Sequence, residues 1–463
     1  MYRPLFIGGV LVFTGYSLVR AFYLQYIPIR PSPSADPSKS GIALLCFSMF
    51  LSGCGGAAGL TAALNAVAKS FSDKYRATAS GMVLAGFGLS AFAFSTIGHL
   101  VYSGDAGGLL LLLALGCSAP MLLGSLVIKE ISPKIESGYQ RVADGPEIIF
   151  DEDHDELYHT RSSSIELSRS RSPAPIPRHP GHHSPAIPKR RVSSVPISAA
   201  VDFSPMQLIG NPDFYALCAV LAICCGTGLM YINNVGTVAL ALGRDGKLAY
   251  DAHEISAWQA TQVATISIYN CSGRVIAGIA SDWAKSRFSI ARIWFLPVVA
   301  SMFIITQITA LETTHVDHLW IVSTMLGFAY GSMINIISML TLEWFGMAHF
   351  SQNFGTINLS PILGGNLFNL LFGYVYDSNT IGRIGMPESE SLNATMAILS
   401  RSGGVVANDD QHACLLGEAC YGTAFRTTTM ACILALIISL AAGFRRSQAG
   451  KSEEAIQGRG AVV

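Results

Sequence analysis

Charge is scarce in this chain. Asp, Glu, Lys and Arg make up 13% of its 463 residues, where a soluble domain carries about 25% to maintain a polar skin. That shortage argues against an ordinary water-soluble globule and makes lipid the expected solvent for most segments. The formal net charge is zero, and no nucleic-acid partner is expected. The GxxxxGK[ST] phosphate loop is missing, which argues against ATP-driven transport by this chain alone. No CxxC pair suits zinc, and the ten cysteines do not form a small-protein disulfide framework. Eight of them fall in apolar runs, where a free thiol behaves as a small hydrophobe. No cofactor and no resident metal are expected. A cleavable leader is not evident either: the first apolar run is long enough to span, carries Arg20 near its far end and lacks a small-residue cleavage site.

Hydrophobic residues fill the gap, at 51% of the chain and a mean hydropathy of +0.43. A membrane helix needs about 20 mostly apolar residues to cross about 30 Å of hydrocarbon. Candidate spans are 4–23, 41–68, 77–101, 107–128, 214–242, 255–279, 291–311, 319–342, 354–376 and 423–444. The alternating ten-residue segments of a closed β-barrel are absent. Ten spans put both termini on one side. Lys69, Lys74, Arg76, Lys285, Arg287, Arg292, Arg445, Arg446 and Lys451 gather in one set of loops and the termini, while the opposite loops are poorer in basic residues. The basic side is therefore expected in the cytosol, with both termini.

Between the fourth and fifth spans the pattern collapses. Residues 129–204 hold an acidic run (Asp151 to Glu156) and a Ser/Pro/Arg-rich stretch, and read as a disordered cytosolic linker. The domains expected are an N-terminal bundle (1–128), this linker, a C-terminal six-helix bundle (205–446) and a cytosolic tail (447–463). Arg190-Arg191-Val192-Ser193 in the linker would suit a basophilic kinase. The long outside loop, 377–422, carries an N-glycosylation acceptor at Asn393. Cys414 and Cys420 share that loop and could close a small disulfide in an oxidising compartment. Asp409, Asp410, His412 and Glu418 lie nearby, but nothing fixes a ligand geometry.

Polar residues inside spans point to function, because they are costly there and usually face a bundle interior or a watery path. Ser90 and His99 cannot form a protease pair on one helix, since about 900° of turn and about 13 Å of rise separate them. The run Gly226 to Gly236 sets Tyr231, Asn233 and Asn234 at mid-membrane depth among glycines, and reads as a locally flexible helix presenting amides to a cavity. Asn270 and Arg274 are four apart and share a helix face. Asn335 follows in a later span, and Asn358, Asn366 and Asn369 in another. The other reading of each asparagine is a hydrogen-bonded bridge between helices.

Gly273-Arg274-Val275-Ile276-Ala277-Gly278-Ile279-Ala280-Ser281-Asp282, with Lys285 and Arg287, resembles the GxxxD-plus-basic motif of the major facilitator superfamily, in its C-terminal copy. An aspartate at such a helix end can cap the next helix and pair with a basic group. The Gly53–Lys69 segment with Phe71, the Ser80–Phe92 segment, Asn211 to Phe214, Gly226 to Gly236, and Asp410 to Tyr421 are together similar to the nodulin-like branch, within it the fungal monocarboxylate-transporter homologues. The resemblance implies an all-α integral membrane fold of two six-helix bundles rocking around a midplane site. It also implies alternating access driven by a substrate or proton gradient, and a vacuolar membrane; the plasma membrane is the alternative. Here four spans stand where the family has six, so ten helices (4 + 6) are expected in place of twelve, the first two being absent.

The expectation is a non-enzymatic secondary transporter of a small polar or anionic solute. Tyr231, Asn233, Asn234, Asn270, Arg274, Asn335 and Asn358 would line the path. Gly273, Arg274, Gly278, Asp282 and Arg287 would form the gating motif, with Asp282 and Arg287 as a cytosolic latch. The competing reading is a sensor or scaffold that acts through its linker.

Overall fold

The computed structural model describes residues 2–28, 38–102, 105–127, 202–244, 252–380, 414 and 416–460. The linker up to residue 201, Asn393, Asp409, Asp410 and His412 lie outside the described residues. Before the linker come α1 (Tyr2–Tyr23), α2 (Lys39–Ser70), α3 (Arg76–Val101) and α4 (Ala106–Val127). After it come α5 (Pro205–Ile209), α6 (Pro212–Arg244), α7 (Ala252–Phe288), α8 (Phe295–Glu312), α9 (Leu319–Phe345), α10 (Phe350–Ile357), α11 (Ser360–Ser378) and α12 (Gly422–Gly460). Among the described residues, nine of these are long and apolar enough to cross a membrane. They match nine of the ten expected spans. The chain is thus a multi-pass helical membrane protein.

The exception is the expected span 354–376. It is broken at Asn358 and Leu359 into α10 and α11. Pro361 lies at the start of α11, where its missing N–H does no harm. Asn358 closes the last turn of α10: its side-chain amide donates to the Phe354 carbonyl at 2.8 Å. Asn366 and Asn369 make α11 more polar than its neighbours. At the other extreme, α12 runs on helically to Gly460, past the expected end of its span.

Local chemistry sets the ends. The Ser38 hydroxyl accepts from the Gly41 N–H at 2.9 Å to start α2, and the Asn211 side chain accepts from the Asp213 N–H at 2.8 Å to start α6. Gly346, at φ 86°, ends α9 in a conformation that a side chain would resist.

The core belongs to the C-terminal helices. α9 lies between α7 and α8, α6 packs on α11 and α12, and α8 packs on α12. Buried polar contacts tie them: Tyr231 on α6 and Ser323 on α9 share a hydrogen bond at 2.8 Å, and Ser323 donates onward to Gln262 on α7 at 2.7 Å. Thr428 on α12 donates to Gln307 on α8 at 2.9 Å. Cys414 and Cys420 are joined in a disulfide ahead of α12. Among the N-terminal helices, α1 packs against α2 and α4, whereas α3 lies chiefly along α7.

Candidate functional site

The crossing of α3 and α7 is built on missing side chains. A Cβ on Gly81 of α3 would sit 2.5 Å from the Arg274 carbonyl oxygen, and one on Gly278 of α7 would sit 2.5 Å from that of Ala77. Gly273 serves the other flank of α7, where a Cβ would collide with the Phe328 carbonyl of α9. Small residues let helices approach closely in lipid. The two glycines of the expected gating motif are therefore contact points for two neighbouring helices.

That close approach encloses Arg274, which is 1% exposed. Its Nε donates to Asn270 Oδ1 at 3.0 Å, the contact expected from their i, i+4 spacing, and Nη1 donates to the Leu84 carbonyl of α3 at 2.6 Å. The Phe87 ring lies 5.2 Å from the guanidinium carbon. No carboxylate pairs with Arg274 among the described residues. Asn335 completes the group by donating to the Arg274 carbonyl at 2.8 Å and the Ala77 carbonyl at 3.4 Å, while its own Oδ1 is buried without a partner among the described residues.

The remaining expected path residues separate. Asn234 donates to Asn369 Oδ1 at 2.9 Å, and the exposed Asn233 lies at 3.5 Å from the same oxygen, so these three gather where α6 meets α11. Tyr231 does not join them. It is 1% exposed and hydrogen-bonded inside the C-terminal core. Asn358 is also apart, occupied as the cap of α10. α6 is continuous through the glycine run, where Gly226 admits the backbone of Gly364 on α11 and Gly228 lies under the Tyr330 ring.

At the basic end the aspartate has a different partner from the one expected. Asp282 Oδ1 is paired with Arg292 Nη2 at 2.6 Å, and both side chains are buried. Its Oδ2 accepts from the Thr78 N–H and the Thr78 hydroxyl, each at 2.8 Å. It thus caps α3, from the other half of the chain, and not the next helix. Arg287 is exposed and lies over the Phe288 ring at 5.8 Å. The physical reason is direction: Arg287 sits in the last turn of α7, whereas Arg292, after the chain has turned at Ser289 (φ 56°), points back under Asp282.

Arg292 also meets Asp73 at 3.3 Å and Glu343, and Lys285 joins Asp73 at 2.8 Å and Glu343 at 2.5 Å. Burial alone would raise the Asp73 pKa, but the hydrogen bond and charge of Lys285, with Arg292, hold it below the usual carboxylate range. Beside the ion pairs, Asn65 on α2 donates to the Ser351 hydroxyl on α10 at 2.9 Å. Leu64, Ala77 and Leu84 form an apolar cluster with Met339, Leu342, Phe350 and Phe354. The two groups of helices are closed against each other at this end. Asp73, Thr78 and Glu343 were not legible as functional. The signal available was that Asp73 and Glu343 are lone acids at the ends of apolar runs.

Comparison with known proteins adds a family. The model of the Major Facilitator Superfamily matches residues 2–369. A probable transporter MCH1 of Gibberella zeae is 25% identical over 411 residues, which cover 80% of this chain and 68% of that protein. A probable transporter MCH1 of Wickerhamomyces anomalus is 26% identical over 174 residues, 37% of this chain and 33% of that protein. The chain thus spans between a third and about two thirds of the lengths of these two relatives. A crystal structure of a bacterial homologue of the human lysosomal transporter Spinster, inward-facing and unoccupied, has a TM-score of 0.45 at 18% identity, covering 96% of this chain and 83% of that one.

Proposed function

This chain belongs to the major facilitator superfamily, and on that premise we propose that it is a secondary transporter of a small anionic or polar solute, working by alternating access. The observation that carries this reading is Arg274. A buried cation in mid-membrane is costly unless something compensates it. Arg274 has only neutral acceptors, Asn270 and the Leu84 carbonyl, among the described residues. An anionic solute entering between α3 and α7 would supply the missing charge. Asn270 orients the guanidinium, and Phe87 and Tyr330 shape the approach. Asn233, Asn234 and Asn369 offer amides further along α6 and α11.

The basic end would be the cytosolic gate, following the distribution of Lys and Arg. Asp282, Arg292, Asp73, Lys285 and Glu343 hold α3 against α7 there, and opening that side requires these contacts to break. A proton or solute gradient would drive the cycle. The vacuolar membrane is the compartment suggested by the resemblance to the fungal homologues, and Asn393 would face away from the cytosol.

The test is uptake into liposomes carrying the full chain, screened with labelled small carboxylates, amino acids and sugars under an imposed proton gradient. Uptake of at least one carboxylate is expected, with Arg274→Gln abolishing it and Arg274→Lys retaining part. Uptake of an anion that survives Arg274→Gln would remove the arginine from the path. A silent screen with folded protein would favour the scaffold reading.

A further inference from the structure

α10 carries much of the contact that closes the basic end. Phe350 and Phe354 sit in the apolar cluster with Leu64 of α2 and Leu84 of α3, and Ser351 accepts from Asn65 of α2 at 2.9 Å. Yet α10 is only eight residues long and is set off from its neighbours at both ends. The chain leaves α9 at Gly346, whose φ of 86° suits glycine, and it breaks again at Asn358 and Leu359 before α11. Hinges form at such element ends. A short helix between two of them needs something to fix its angle.

The residues that lead out of the linker lie across it. The Phe203 N–H donates to the Phe345 carbonyl at the end of α9 at 3.0 Å, and Asn353 in the middle of α10 donates to the Phe203 carbonyl at 2.9 Å. The Phe203 ring stands edge-on to Phe345 at 5.9 Å, and Asp202 lies 3.3 Å from His349 Nδ1 in the turn between the two helices. The chain then winds into α5, where Gln207 accepts from the Ser204 N–H at 3.0 Å, and α5 packs on both α10 and α6. Asn353 is 0% exposed. The Phe203 carbonyl is its amide's one partner among the described residues, and its Oδ1 has none. A half-satisfied buried amide is costly, and here it grips nothing but that crossing segment.

We propose that residues 202–204 are a strap that sets α10 in its closed position. Release of the strap lets α10 turn about Gly346 and Asn358, withdraws Phe350, Ser351 and Phe354 from α2 and α3, and opens the basic end. Because the strap is where the linker joins the helices, a partner that binds or pulls the linker acts on the seam through Phe203 and Asn353. The device holds whichever solute the protein carries, and does not depend on Arg274 meeting an anion.

The experiment is hydrogen exchange of the full chain in lipid nanodiscs, read peptide by peptide by mass spectrometry. Phe203→Ala should speed exchange of the α10 amides about tenfold, as loss of one edge-to-face ring contact allows. The facing end of α2 should speed up with it, while α8 and α12 keep their wild-type rates. Asn353→Leu should act on α10 and α2 in the same way with little change in the thermal midpoint, because it removes the donor and the unpartnered oxygen together. If Phe203→Ala does not fold, Asn353→Leu decides. Unchanged exchange in α10 would overturn the strap. A rise spread evenly over the C-terminal helices would also overturn it, since that is a general loss of stability. A rise confined to α10, with the end of α2 unchanged, would overturn its coupling to the seam.

Discussion

The two groups of helices bury themselves to very different degrees. In the C-terminal group, 78% of the most apolar window of α9 is buried and 56% of that of α6; in the N-terminal group the figures are 11% for α2 and 17% for α4. Both groups are about equally apolar, so hydropathy alone does not separate them. The difference lies in how much of each helix is covered, since α1 and α2 also meet at glycine: a Cβ on Gly55 would sit 2.6 Å from the Gly8 carbonyl oxygen. α6 and α11, α7 and α9, and α8 and α12 approach at backbone glycines and buried polar links. α2 and α4 each leave long faces uncovered, with Phe47, Phe50, Leu123 and Leu126 exposed. α3 is the bridge, since it lies chiefly along α7 and less against its sequence neighbours.

The comparison breaks most sharply at glycine. A Cβ on Gly364 would collide with the Ala222 carbonyl, whereas one on Gly53 of α2 meets nothing within 4 Å. Gly364→Val should cost about 3 kcal/mol or more, because the obstacle is backbone, and should abolish monodisperse protein in size-exclusion chromatography. Gly53→Ala should move the thermal midpoint little. Equal effects would mean that the face of α2 at Gly53 is covered as closely as the crossing of α6 and α11.

A second experiment tests the seam between the groups. Asp282→Asn leaves a buried Arg292 short of one partner. It should weaken the closed end by about 3 kcal/mol, the low end for a buried pair because Asp73 and Glu343 remain. Spin labels on the basic ends of α3 and α10 should then report a longer distance. Arg287→Gln should leave it unchanged; if it matched Asp282→Asn, the pairing described here would be wrong.

The disulfide should matter less and only to the C-terminal group. It closes a loop with a sequence separation of 6, for which chain entropy gives about 2 kcal/mol. Reductant should lower the midpoint of the wild type and not that of a Cys414→Ser/Cys420→Ser variant.

The smallest effect is that of pH on the seam. The Asp73 pKa is lowered in the folded state, so its contribution is complete above the unfolded carboxylate value and lost as pH falls through the folded one. The closed state should hold from neutrality to about pH 4 and loosen below it. Asp73→Asn should flatten that response in the same distance measurement.

Much of the fold was legible in order along the chain. Nine spans and the i, i+4 contact of Asn270 with Arg274 follow from local pattern and helix geometry. The break at Asn358 was not, because α10 and α11 form a continuous apolar run and the interruption depends on a cap and a proline that also occur inside helices. Of the expected path, Asn270, Arg274 and Asn335 come together, as do Asn233 and Asn234, with Asn369 added. Tyr231 and Asn358 are used by the fold itself. Polarity within a span shows that a partner is needed, and does not say whether that partner is a solute, a neighbouring helix or the same helix's carbonyl.

By itself, the sequence determined that the chain is helical, apolar and threaded repeatedly through lipid, because length and hydropathy act through the solvent and need no knowledge of neighbours. Only the tertiary structure decided that α3 belongs against α7, that Asp282 answers to Arg292 and Thr78, and that Arg274 is enclosed without a counter-charge among the described residues. Those facts depend on residues up to 204 positions apart, as Thr78 and Asp282 are. Contacts at that separation are set by which glycines let two helices approach, a property of pairs of surfaces that no single stretch of chain carries.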